Sequence, residues 1–386
     1  MADEATTRRR FLGVAAGVAG ALALPGIASA QCHNRPPTGG PLSPPQETDV
    51  TFLGSYTDNG GDGLQLASTD FSTGAVKPGA KVSNMADASW LVYSPDRTIL
   101  YTTNELSAGT MTALKVNGSN APKLLNKQPT KGGSPAHASV HPSGKYLMVA
   151  NYDSGSVAIL PIKSDGSLSP LTDLVVHKGG TGGDPHAHQI LADPSGKWVV
   201  SVDLGTDSIY IYTLSLTTGK LTLHDQVVLA KGDGPRHLVF HPNGTHGFLA
   251  TEDSSQVISF TWDSGAGKLT PGQIVGTTEP GAVTPNYPGE IALSKDATFL
   301  YVSNRGDNSI ATFSVSADGS TVTLLNTAPC GGDWPRHFAL DPTEHWFVVA
   351  NQNSGTVTWL PRDQQTGLPG EVAGTAAATA VAMVLF

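Results

Sequence analysis

The stretch His141-Pro-Ser-Gly-Lys-Tyr-Leu-Met-Val-Ala-Asn151 is one copy of a pattern that recurs along the chain. The other copies read Ser94-Pro-Asp-Arg-Thr-Ile-Leu-Tyr-Thr-Thr-Asn104, Asp193-Pro-Ser-Gly-Lys-Trp-Val-Val-Ser-Val-Asp203, His241-Pro-Asn-Gly-Thr-His-Gly-Phe-Leu-Ala-Thr251, Ser294-Lys-Asp-Ala-Thr-Phe-Leu-Tyr-Val-Ser-Asn304 and Asp341-Pro-Thr-Glu-His-Trp-Phe-Val-Val-Ala-Asn351. Their second residues stand at 95, 142, 194, 242, 295 and 342, spaced by 47, 52, 48, 53 and 47. A fixed period of about 50 residues marks an array of one structural unit. Each unit has a hydrophobic run, a Pro/Asp-Gly type of turn and a second hydrophobic run. Shorter runs bounded by Gly, Asn and Ser follow, as in an antiparallel β-meander. One period before the first full copy, Thr51-Phe-Leu-Gly-Ser-Tyr56 supplies a seventh.

Four-stranded units of this size can bury only one another's faces, and radial closure protects the edges they would otherwise expose. The pattern therefore predicts an all-β fold over residues 49–386, a seven-bladed β-propeller of four-stranded antiparallel blades. The first copy enters mid-blade, so the last strand, Ala380-Val-Ala-Met-Val-Leu-Phe386, is expected to complete that blade and close the ring. An open solenoid is the alternative. The Ala-rich Gly374-Thr-Ala-Ala-Ala-Thr-Ala-Val381 looks helical by composition, but its position in the closing blade argues for strand.

The 44 Gly and 27 Pro among 386 residues, with only 14% charged residues, suit a turn-rich β protein better than a helical one. The formal net charge is −9. An acidic body makes nucleic acid and anionic lipid poor partners, so none is expected, and a polyanionic substrate would need a local basic pocket.

Residues 1–30 read as an address. Thr7-Arg-Arg-Arg-Phe-Leu12 precedes an apolar run that ends at Pro25 and the small-residue site Ala28-Ser29-Ala30, the pattern of a twin-arginine export signal cut after Ala30. The run from Phe11 to Leu24 has 14 residues, short of the ~20 that span a bilayer. The mature protein is thus expected in the periplasm or outside the cell, with no stable membrane association after cleavage. Residues 31–48 are Pro/Gly-rich and aperiodic, and read as a linker. The two cysteines, Cys32 and Cys330, could pair outside the cytoplasm, but spacing does not establish it. No CxxC motif is present.

Alternation along the strand before each turn separates two faces. One carries Leu91, Ala138, Ile190, Leu238, Ile291 and Phe338, and is expected to pack blade against blade. The other begins with Trp90, His137, Gln189, His237, Glu290 and His337 and becomes small or apolar further along. The innermost strand of a blade lies nearest the axis, so this polar row is expected to ring one mouth of the channel. The neighbouring segments Asp184-Pro-His186-Ala-His188, Gly234-Pro-Arg236 and Trp334-Pro-Arg336 join it. A second ring follows the Asn-type residue that ends each copy: Tyr56, Glu105, Tyr152, Leu204, Glu252, Arg305 and Gln352. Singly, each has a plain reading: a hydrogen-bonded turn His, a blade-to-blade ion pair for Arg336, a solvated loop carboxylate for Glu105. Together they place many ionisable groups around one mouth, which stability alone does not require.

The chain resembles the lactonase-type seven-bladed propeller family, which includes bacterial 6-phosphogluconolactonases and the fungal carboxy-cis,cis-muconate cyclase. The resemblance spans nearly all of residues 50–386 and rests on Gly54-Ser-Tyr-Thr57, Thr103-Asn-Glu105, Pro185-His-Ala-His188, Gly234-Pro-Arg-His237, Ser303-Asn-Arg-Gly306 and Trp334-Pro-Arg336. It implies a catalytic set of His186, His188, Arg236, Glu252 and Arg305, with His137, His237, Glu290, Arg336, His337 and Glu105 binding the substrate. The chemistry is consistent: an arginine stabilises a carbonyl oxyanion, and a His or Glu252 activates water. The resemblance implies a small-molecule lactone as substrate, no metal and no cofactor, and the chain is read as a monomer. Lactone-forming cyclisation and a non-catalytic binding propeller are the alternatives. A metal-dependent hydrolase using His186, His188, His237 and Glu252 ranks below both. The export signal departs from a cytoplasmic sugar-phosphate enzyme, which leaves open whether the lactone is phosphorylated.

Overall fold

The turn opening each repeat copy is closed by its first residue. Asp193 Oδ1 accepts the N–H groups of Lys197 and Trp198 at 3.1 and 2.9 Å, Asp341 Oδ1 that of Trp346 at 2.8 Å, and Ser94 Oγ that of Ile99 at 3.0 Å. Short polar side chains that satisfy their own turn explain why Ser, Asp and His recur there. The fourth residue has positive φ in all six copies: Arg97 57°, Gly144 68°, Gly196 69°, Gly244 72°, Ala297 56° and Glu344 59°.

The computed structural model describes residues 48–282 and 285–386; the expected export signal, Cys32 and the linker up to residue 47 lie outside them. The described residues contain no helix and form seven four-stranded antiparallel sheets arranged as a propeller. In the third blade, Pro135–Val140 is innermost, followed by Tyr146–Asn151, Ser156–Pro161 and the outer Asp173–Val176. The ring closes as expected: Val381–Leu385 is the innermost strand of the blade begun by Thr48–Ser55, pairing Phe52 with Leu385 and Leu53 with Val384. Gly54 on this seam admits no Cβ, which would stand 2.1 Å from the Ala88 carbonyl oxygen. The Ala-rich segment is divided. Gly374–Ala377 is the outer strand of the seventh blade, and a turn at 378–380 leads into the closing strand.

Blades are sewn together by aromatic residues on their second strands. The hydroxyl of Tyr101 donates to the Gly166 carbonyl of the next blade at 2.9 Å, and that of Tyr301 to Gly367 at 3.0 Å. The indole N–H of Trp198 donates to Ser264 at 2.7 Å, and that of Trp346 crosses the closing seam to Phe71 at 3.0 Å. Each ring packs in the seam while its polar tip finds a carbonyl, so burial worth about 1.5–3 kcal/mol per ring leaves no donor unpaired. The expected blade-facing residues are buried, from Ile190 at 0% to Ile291 at 4% exposed. Cys330 is buried with no disulfide partner among the described residues, and its Sγ lies 3.3 Å from Asn351 Oδ1.

Candidate active site

Inner strands begin, and second strands end, at the same mouth, as the pairing of Pro135 with Asn151 and Pro335 with Asn351 fixes. At this end the register shifts within the inner strands, between 135 and 137, 187 and 189, 235 and 237, 288 and 291, and 335 and 337. A β-bulge leaves one extra residue unpaired and re-aims it. In four of the five that residue is Ala136, His188, Arg236 or Arg336, while between 288 and 291 Gly289 and Glu290 stand opposite Ser303, and the strict alternation expected from sequence fails there.

The bulge residues His188 and Arg336, with Ala136, meet the second-ring residues Tyr56, Glu105, Tyr152, Glu252 and Arg305 around a cavity of about 320 Å³. Leu204 and Gln352, at the same position of their copies, do not line it. Beneath lies a narrow continuation lined by Trp90, His237, Glu290, His337 and Arg236, which His188 and Arg336 also border. His137 stacks its ring 4.3 Å from that of Trp90 in this lower layer. His186 lines neither space. Its ring stacks on Tyr152 at 4.5 Å, and its Nδ1 lies 3.1 Å from the Tyr152 carbonyl oxygen, so it backs the cavity wall rather than facing the cavity. A larger hollow of about 510 Å³ opens at the other end of the channel. There, Arg97 is taken up by the Phe386 carbonyl at 2.5 Å and Glu344 by the Lys295 N–H at 2.7 Å.

Glu252 is the charge centre of the mouth. Its Oε2 lies 2.6 Å from Arg305 Nη2 and 3.0 Å from Arg236 Nε, the latter an ion pair without hydrogen-bond alignment. Backbone carbonyls fix both arginines: Arg305 donates to Tyr287 and Pro288 at 2.9 and 3.0 Å, and Arg236 to Gly289 at 2.6 Å. Burial alone would raise the Glu252 carboxyl, but the two guanidiniums outweigh it and hold it below the usual carboxylate range. Burial and the nearby Arg305 push Arg236 down to about 9, which leaves it cationic at neutral pH.

The imidazoles face the opposite influence. Burial first, then Arg236, His237, Arg336 and Arg305, holds His188 well below its ordinary value, so it is neutral, and its Nδ1 has no hydrogen-bond partner among the described residues. His237 is likewise held down and His337 falls to about 4, while burial raises Glu290. The contacts of Glu290 Oε2 with His237 Nδ1 at 3.1 Å and His337 Nε2 at 3.6 Å thus join groups all driven towards their neutral forms. Across the cavity, the Tyr56 hydroxyl donates to Glu105 Oε2 at 2.8 Å, and the Arg336 guanidinium lies 5.1 Å over the Tyr56 ring. Burial disfavours the Arg336 charge, but Tyr56, Glu105 and Glu252 together hold its pKa above the ordinary value.

Tyr56 and Tyr152 were visible in the second ring but carry no role there by residue type alone. Their signal is the repeat position they share with Glu105, Glu252 and Arg305. Among the described residues no three His, Cys, Asp or Glu side chains converge in a way that could hold a metal ion.

A seven-bladed ring with neutral imidazoles, paired carboxylates and arginines gathered in one axial cavity is a propeller with its polar pocket on the axis. The chain belongs to the lactonase family of 7-bladed beta-propellers, whose sequence model matches residues 50–386. It is 32% identical over 325 residues to the 6-phosphogluconolactonase of Bacillus subtilis, covering 82% of this chain and 92% of that protein. A 6-phosphogluconolactonase of Formosa agariphila is 30% identical over 336 residues, covering 82% and 93%. The structure of the periplasmic gluconolactonase of Pseudomonas aeruginosa superposes with a TM-score of 0.84 at 28% identity, covering 88% of this chain and 98% of that one.

Proposed function

We propose that the protein hydrolyses a sugar lactone in the axial cavity. The observation that carries this reading is the placement of a neutral imidazole, His188, on the same wall system as Arg305 and Arg336. A lactone carbonyl set between them meets a base on one side and oxyanion donors on the other. His188 takes a proton from water as the water oxygen bonds to the carbonyl carbon. The carbonyl oxygen becomes an oxyanion held by the guanidiniums. Collapse breaks the ring C–O bond, and the leaving ring oxygen takes the proton back from His188, giving the open hydroxy acid. A resting imidazole held low by burial and by nearby cations is a weak base, but the oxyanion formed beside it offsets the cations' share as the proton arrives. Glu252 touches no reacting atom in this scheme. It neutralises and positions Arg305 and Arg236. The 6-phosphogluconolactonase and gluconolactonase relatives support the reaction class.

The test is hydrolysis of aldono-1,5-lactones by purified protein, with spontaneous opening subtracted. Absence of any enzyme-dependent rate across neutral and phosphorylated lactones would sink the reading. We also propose, from Arg8 and Arg9 ahead of the apolar run, that the enzyme acts outside the cytoplasm. Replacing both by Lys then retains the protein inside the cell, and unchanged secretion refutes the signal.

A further inference from the structure

Recognition of a phosphorylated sugar requires cationic donors that are free to turn towards it. The cavity offers few. Arg305 spends Nε and Nη2 on two backbone carbonyls and Glu252, and Arg236 is below, held by Gly289 and the same carboxylate. Arg336 is the one cavity-lining guanidinium with neither a hydrogen bond nor an ion pair among the described residues. No lysine lines the cavity among those residues. Against this single open cation stand two carboxylates. Glu252 and Glu105 each have Oε2 engaged, by Arg305 and by Tyr56, and each keeps Oε1 without a partner among the described residues. Those free oxygens are acceptors for hydroxyl donors, and to a phosphate they present like charge.

The approach to the cavity has the same sign. Asp153 and Asp253 directly follow Tyr152 and Glu252, and Asp184 and Asp333 lie on the loops entering the inner strands; all four are exposed at the mouth. Lys131, Lys178 and Lys231 lie near the start of three of these entering loops, and Asp233 adds a further carboxylate to the last. Asp253 is raised by partial desolvation against the mouth and by the nearby Glu252 and Asp207, as expected of a crowded acidic rim.

We infer that the Tyr56–Glu105–Arg336 wall is a specificity subsite that accepts the hydroxyls of a neutral aldonolactone and disfavours its phosphorylated counterpart. This rests on the lactonase reading above and narrows it. Arg336 and the Glu105 carboxylate form a donor and acceptor pair for adjacent ring hydroxyls, while a phosphate carrying about −1.5 to −2 charges must pass the acidic rim and then finds only the Arg336 guanidinium unengaged, beside the Glu105 carboxylate. About 320 Å³ leaves room for a six-membered lactone with its hydroxyls.

The experiment compares kcat/KM for glucono-1,5-lactone and its 6-phosphate. Wild-type protein is expected to favour the neutral lactone by about tenfold or more, and added salt is expected to raise the rate on the phosphorylated one by screening repulsion. In Glu105→Gln the neutral substrate loses and the phosphorylated one gains, so the ratio narrows. Equal rates, preference for the phosphate, or inhibition of its turnover by salt would overturn the inference. Calorimetric binding of 1,5-anhydroglucitol and its 6-phosphate reads the same charge selection without turnover. If no lactone is hydrolysed, the lactonase reading fails while binding still decides the subsite: neutral-only binding upholds it, and phosphate-preferring or indifferent binding rejects it.

Discussion

The second strand of each blade has two ends, and they differ in kind. At the turn end, six copies share one backbone solution, with a positive φ at the fourth residue whether it is Gly, Ala, Arg or Glu. At the mouth end, the residue after the Asn-type position is Tyr56, Glu105, Tyr152, Leu204, Glu252, Arg305 or Gln352, and hardly two neighbours agree. Repetition specifies the ring, because each blade must present the same edges to its neighbours. The mouth residues meet one another around the cavity and not in the repeated seams between blades, so their side chains are free to diverge into one asymmetric site. If that division holds, mouth substitutions change rate and leave the fold, and turn substitutions do the reverse.

The largest expected effect is at His188. His188→Asn removes the proposed base, and losing one general acid-base group lowers kcat/KM by ~10²- to 10⁴-fold, with the thermal unfolding transition nearly unmoved. A rate within a few-fold of wild type would take the chemistry away from this imidazole.

Glu252 and Glu105 sharpen the comparison within the mouth, since they occupy the same repeat position on different blades. Glu252 is clamped by two guanidiniums and Glu105 is capped by one phenol. Glu252→Gln leaves Arg305 and Arg236 without their counter-charge, and misaligning Arg305, one of the two oxyanion donors, costs ~10²-fold in kcat. Glu105→Gln is expected to cost under about tenfold on a neutral lactone, mainly in KM, because it removes a binding contact and no transition-state charge. Equal losses in kcat for the two variants would mean that repeat position, and not partner set, decides the role.

The contrast between Glu252 and Glu105 is also where sequence legibility ends. The ring, its blade number and its closure by Val381–Leu385 were all readable, because the turn pattern is local and repeated. The gathering of ionisable groups was readable from alignment of the copies. Which of them face the cavity was not. Period-two alternation put His137, His237, Glu290 and His337 at the mouth beside the arginines, whereas the bulges turn His188 and Arg336 into the cavity and leave the others in or beside the layer below. His186 shares its motif with His188 but packs behind Tyr152, since it precedes the strand that begins at Ala187 and its N–H is held by Asp203 Oδ1 at 2.9 Å. The Ala-rich segment was expected as one strand, and the turn at 378–380 that splits it has no strong Gly or Pro signal.

A smaller effect follows from the imidazoles of the mouth. Burial, with help from the surrounding cations, keeps His137, His188 and His237 well below their ordinary value and His337 at about 4. Their folded values lie below the unfolded one, so between the two the unfolded chain binds more protons and stability rises with pH. The contribution is complete above the unfolded value, about 6.5, and declines as pH falls below it, by up to about 1.4 kcal/mol per pH unit for each imidazole. Denaturant midpoints measured from about pH 7 down to about pH 5 are expected to fall steadily. A flat profile would show that these rings charge as easily in the fold as outside it. Glu252, held below the ordinary carboxylate range, loses nothing in this window, while Glu290 and Asp253, both raised above their ordinary values, gain stability as pH falls and offset part of the decline.

The smallest effect tests the turn end alone, where two positions of one backbone shape carry different residues. Gly144, at φ 68°, has nothing within 4 Å of an added Cβ, so Gly144→Ala meets no neighbour and pays only the left-handed penalty. That penalty is about 1–2 kcal/mol, partly offset by the lower entropy of the unfolded alanine chain, for a net destabilisation of about 0.5–1 kcal/mol. Ala297, at φ 56°, already bears the strain. Ala297→Gly is expected to shift stability by a similar amount in the opposite direction, reduced by the loss of a buried methyl, since Ala297 is 7% exposed. Thermal or denaturant unfolding reads both signs, and kcat/KM on any lactone turned over is expected to stay at the wild-type value in each variant. If the two substitutions move stability in the same direction, the copies do not share one turn energetically, and the uniform φ reflects geometry imposed by the ring more than a preference of the local sequence.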